Sequence, residues 1–156
     1  MKALLAVVAM AACSGRSAEP SGVGSYTFTM TTLGDVKSGD CQPTKLFDGR
    51  AATWCFGLTP IRVGNRSADT DLYFLGAGKD AKLIEIQLVV RGCIENDLEQ
   101  WMRSAMGPPR ETKATREYWS NSYMWAAAFM PSEPGRCLVH FLPLEENAEI
   151  ERIKAQ

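Results

Sequence analysis

The sequence predicts an α+β fold: a small two-layer domain in which an antiparallel sheet of β-hairpins packs on one main helix, stapled by two disulfides. Three observations lead there. TDLYFL and KLIEIQLVVRGC, then YMWAAAFM and RCLVHFLP, are pairs of apolar-rich or alternating stretches, each folded back over turn-forming residues. ENDLEQWMRSAM, lying between the pairs, repeats its apolar residues at helical spacing. Cysteine is the third signal: Cys41, Cys55, Cys93 and Cys137 form an even set once Cys13 is given a separate role.

Read in order, the chain opens MKALLAVVAMAACSGRS: a positive start, an apolar run from Ala3 to Ala9, then small residues. This order predicts a signal peptide over residues 1–12. An Ala-x-Ala cleavage site is present at Ala9, Met10 and Ala11, but Met10, Ala11, Ala12 and Cys13 together resemble the lipobox of bacterial lipoproteins. That resemblance implies cleavage before Cys13, diacylation of its thiol and acylation of its new amino group. It also implies the outer membrane as destination, since Ser14 rather than aspartate follows the cysteine. Residues 13–25 then read as a lipidated N-terminus and flexible tether, because SGRSAEPSGVGS has too little apolar bulk to pack. A single globular α+β domain is expected over residues 26–156.

Tyr26, Phe28 and Met30 alternate with threonines, which predicts a half-buried strand. The following LGDVKSGDCQPTKLFDGR is rich in turn residues and ends in a short apolar run at Thr53–Phe56. In the first hairpin, Ile84, Ile86, Leu88 and Val90 are expected on one face, with Glu85, Gln87 and Arg91 on the other. The helix is expected to start with Asn96 as cap and Glu99 three residues on, and to stop at Gly107 and Pro108. RETKATRE reads as a basic, polar connector, and Ile150 with Ile153 predicts a short terminal helix or tail. Export to an oxidising compartment predicts disulfides, paired Cys41 with Cys55 and Cys93 with Cys137 because each pair falls within one subregion.

Little in the sequence carries chemistry. His140, the sole histidine, alternates with Cys137, Val139 and Phe141 and so is expected on the opposite sheet face as a structural or surface residue. No catalytic residue is assigned, since no nucleophile and orienting partner can be placed beside it. Successive cysteines of the domain are 14, 38 and 44 positions apart, without the close pairs zinc favours, so no metal and no cofactor are expected. The 17 basic and 18 acidic residues balance, so nothing in the charge points to a nucleic-acid partner, which would want a basic face.

Two tryptophans stand out as binding residues. FDGRAATWCFG resembles a segment near the start of discoidin-like carbohydrate-binding jelly rolls, over about a dozen residues from Leu46 to Cys55. The resemblance implies an all-β module that holds sugar near Trp54, and the helix beginning at Asn96 departs from it. Trp119 lies beside Tyr118, Tyr123 and Trp125 in a stripe that predicts an aromatic contact site. The expected function is therefore a non-catalytic interaction or adaptor domain anchored in the envelope through its lipid, with another envelope protein as partner. A carbohydrate or peptidoglycan module is the alternative, and an envelope hydrolase built on His140 is a third class.

Overall fold

The computed structural model describes residues 18–156. The signal peptide expected over residues 1–12 and the expected lipidation site Cys13 lie outside the described residues. Strands β1 (Gly22–Val23) and β2 (Tyr26–Thr27) make a small hairpin, and a 3-10 turn follows at Leu33–Asp35. One sheet then takes up β3 (Asp40–Lys45), β4 (Ala51–Phe56), β5 (Ile61–Val63), β6 (Arg66–Leu75) and β7 (Lys82–Arg91). Helix α1 (Glu95–Met106) intervenes before β8 (Glu111–Lys113), β9 (Arg116–Ser120), β10 (Met124–Glu133) and β11 (Arg136–Pro143), and α2 (Asn147–Lys154) ends the chain.

The α+β expectation is corrected by this architecture. The nine strands β3 to β11 form one antiparallel sheet, ordered β3-β4-β6-β7-β11-β10-β9-β8 with β5 beside β6, and the helices are two short elements on a β-rich fold. The physical reason lies in the polar strands. DCQPTK and ETK are almost wholly exposed at the two sheet edges, where pairing comes from the backbone and no apolar alternation is needed. The connector RETKATRE accordingly becomes most of the β8–β9 hairpin. A single sheet of this kind also differs from the two-sheet jelly roll implied by FDGRAATW.

The core row crosses the sheet in register: Trp119, Ala126, Phe141, Ile86, Leu72 and Cys55 are successive neighbours. This face is covered by α1 through Leu98, Trp101 and Met102, and by the N-terminal segment through Val23, Tyr26, Phe28 and Leu33. Ala126 between Trp119 and Phe141 gives large side chains room against a small one. Ile84 leaves the shared apolar face expected of it, because a bulge pairs Tyr73 with Glu85 but Phe74 with Leu83, making Ile84 the extra residue.

The opposite face is only partly covered. Helix α2 lays Ile150 and Ile153 against Tyr118, Ala127, Phe129 and Leu142, so it shields β9, β10 and the adjoining β11. Ala127 is fully buried, and its methyl group lets the helix approach closely.

Both disulfides join the favoured partners, Cys41 to Cys55 and Cys93 to Cys137. Helix α1 begins on Ile94, which makes no side-chain cap, so Asn96 lies inside the helix rather than before it. Glu95 and Asp97 instead place negative charge in the first turn, where the helix dipole favours it. At the other end Gly107 adopts φ 78°, a conformation costly for other residues, and its N–H bonds to Arg103 O.

Packing also begins before residue 26. Val23 is buried, Asn121 Nδ2 donates to Pro20 O at 2.7 Å, and the Ser122 N–H donates to the Glu19 carboxylate at 2.9 Å. Those bonds to Ser122 hold the Glu19 carboxyl below its ordinary pKa. The expected tether of residues 13–25 is thereby shortened, its last part belonging to the fold.

Candidate functional site

The half-covered sheet face carries the most distinctive chemistry. On β4 and β6 the alternate residues Trp54, Phe56 and Tyr73 project there, opposite buried Cys55, Leu72 and Phe74. Trp54 and Tyr73 are cross-strand partners with nearly parallel rings, 6.3 Å between centroids and 11° apart. Phe56 adds a third ring 4.5 Å from Trp54. All three are half-buried, which leaves each with an accessible edge or face.

Polar groups border the rings. Asp71 stands beside Tyr73's row, and burial raises its carboxyl pKa against the lowering effect of the Trp54 indole, with Asp69 pushing it further up. The buried indole Nε1 lies near enough to Asp71 to exert that effect but makes no hydrogen bond of ordinary geometry among the described residues. Tyr73 is raised well beyond the usual phenol range by burial first and by the charges of Glu85 and Asp71 second. Its hydroxyl therefore stays protonated and able to donate.

Glu85 and His140 lie deeper, at 6 % and 8 % exposure. His140 Nδ1 is 2.6 Å from Glu85 Oε1, and Gln87 Nε2 donates to that same oxygen at 2.9 Å. The register pairs His140 with Gln87, so Glu85 is its diagonal neighbour across β7 and β11. The Phe129 ring meets the imidazole edge to face at 5.7 Å. His140 thus projects from the face opposite Cys137, Val139 and Phe141, and its neighbours bury it rather than present it to a substrate.

The β3–β4 turn and α2 close over this face. Arg50 makes a bidentate pair with Glu146, at 3.0 and 2.5 Å, and also bonds Asp48. Arg152, paired with Glu149, stacks over the Phe47 ring at 4.8 Å. Glu149 first, and Glu85 more remotely, raise the pKa of that guanidinium. Beyond the bridge, Lys154 lies 5.6 and 5.8 Å from the centroids of Tyr118 and Trp125 and seals their side.

The two singled-out tryptophans therefore part company. Trp54 belongs to the accessible row. Trp119 is 1 % exposed on the α1 face, with its indole N–H bonded to Gly107 O at 3.0 Å, so it is a core residue and not an edge contact. Reading along strands could not reveal Tyr73, Asp71 and Glu85 as a group, because they meet Trp54 and His140 only through pairing. Among the described residues no three His, Cys, Asp or Glu side chains converge as a metal ion would require. None of the described helices is long and apolar enough to cross a membrane.

The face defines a class in chemical terms: a disulfide-stapled β-rich domain with a row of three rings bordered by carboxylates and amides. No family model, curated protein or solved structure matches the chain.

Proposed function

We propose that the protein is a lipoprotein of the bacterial envelope, anchored through Cys13 at the outer membrane, whose domain binds another envelope component without catalysis. The observation that carries the binding role is the row Phe56, Trp54 and Tyr73, left half-exposed where α2 covers the rest of the same face. Aromatic side chains with a polar border are the usual energetic centre of a recognition surface. His140 and Glu85 serve this reading as the buried flank beside the row, where Glu85 pairs with Tyr73 and Gln87 completes their hydrogen bonds.

A photoreactive amino acid in place of Tyr73 is expected to give a discrete crosslinked species in intact cells, and Trp54→Ala is expected to abolish it. The same probe in place of exposed Asn65 should give none. Identical products from both positions would contradict a role for this face.

A glycan is the second reading, favoured by the near-parallel Trp54 and Tyr73 rings beside Asp71, since sugar rings present apolar C–H faces edged by hydroxyls. Peptidoglycan fragments would then quench tryptophan emission in the wild type and not in Trp54→Phe, whereas a protein partner predicts no response to sugars.

A further inference from the structure

The exposed large apolar side chains of the domain are Met30, Phe47, Leu75, Ile94 and Tyr123. All but Ile94 lie at the same end of the sheet. Leu75 closes β6, Tyr123 precedes β10, and Phe47 occupies the β3–β4 turn. Met30 belongs to the loop that runs beside the β6–β7 turn, where Thr32 bridges Lys82 and the Leu33 N–H bonds Ala81 O. From β4 to β10 is four strand spacings, so these side chains spread along a rim about 20 Å wide.

The N-terminal segment enters the domain at this rim. Pro20 and Glu19 are held by Asn121 and Ser122, next to Tyr123. From Cys13 to Glu19 are six residue steps, which span at most about 22 Å when extended and roughly 13 Å as a coil. Strand β6, by contrast, has 10 residues and measures about 30 Å from end to end. An anchor at Cys13 therefore holds the rim, rather than the opposite end at Asn65 and Gly135, within reach of the bilayer.

We infer that this rim is a membrane-docking edge: its occupant is the headgroup layer of the bilayer in which the Cys13 lipids are embedded. The inference rests on the lipoprotein reading. Lys45, Lys79, Lys82 and Arg110 accompany the apolar residues, but Glu19, Asp48, Asp80 and Glu145 balance them, so shallow insertion of Met30, Leu75 and Tyr123 supplies the contact rather than a polybasic field. Tyr123, 48 % exposed, has the aromatic, amphipathic character enriched at membrane interfaces. Docking by the rim leaves the Phe56, Trp54 and Tyr73 row on a flank of the sheet, open to a partner alongside the membrane.

The test uses the full lipidated protein in vesicles of phosphatidylethanolamine and phosphatidylglycerol, with an environment-sensitive fluorophore on Tyr123→Cys, Leu75→Cys or Asn65→Cys. A nitroxide-bearing lipid is expected to quench the Tyr123→Cys and Leu75→Cys probes at least threefold more than the Asn65→Cys probe. Equal quenching at the three positions in protein shown by mass spectrometry to carry the lipid would overturn the docking edge while leaving the anchor standing. Absence of lipid on the purified chain would overturn both.

Discussion

Replacing Cys93 and Cys137 together by serine is expected to lower the unfolding free energy by about 4 kcal/mol, from the entropy of closing a loop over a sequence separation of 44. The bond ties the chain just before α1 to the middle of the sheet. Cys137 is wholly buried in β11, opposite Val90 at the end of β7. Its removal therefore loosens the segment leading into α1 from the sheet face that α1 covers, while β7 stays paired with β6 and β11. The matching Cys41→Ser and Cys55→Ser double variant should lose about 3 kcal/mol, since its loop spans 14 positions. Because β3 is an exposed edge strand, that loss should appear first as faster amide exchange in β3 and β4. Urea unfolding of the two variants checks the order: a smaller loss for the Cys93 and Cys137 pair would contradict the role given to it.

Trp119→Ala is expected to cost about 4 kcal/mol, in the range for removing a large aromatic from a packed core. The indole sits on the α1 face against Ala126, and its N–H satisfies Gly107 O where the helix ends. Loss therefore opens a cavity and leaves a carbonyl without its donor. Trp119→Phe should restore most of the packing and still lack the hydrogen bond, giving an intermediate loss of about 1–2 kcal/mol. Were Trp119 an exposed contact residue, both variants would stay within about 0.5 kcal/mol of the wild type in thermal or urea unfolding.

The disulfides and Trp119 also mark what the sequence makes legible. Disulfide pairing followed from subregion proximity, and the β6–β7 and β10–β11 hairpins and α1 followed from strong apolar periodicity. Ile150 and Ile153 suit either a short helix or a tail, and the structure makes them the buried residues of α2. Trp119 was misplaced because a neighbouring cluster of aromatics says nothing of which sheet face each occupies, and alternation puts Tyr118 and Trp119 on opposite faces. Fold class failed for a related reason: β3 and β8 are polar edge strands, and backbone pairing leaves no mark on their composition. The contact face was half visible. Trp54 was identified from its local motif, but Tyr73 joins it only through the β4–β6 register, and Glu85 meets His140 across 55 positions of sequence.

In the proposed account, the half-covered aromatic face is a binding surface held at a fixed place, and the rim orients it there. Both depend on Cys13. Metabolic labelling with palmitate, comparing the wild type with Cys13→Ser, tests that dependence most directly. Label should enter the wild-type chain and be lost completely from the variant, which should also leave the membrane fraction. Label retained by Cys13→Ser, or none in the wild type, would contradict the account.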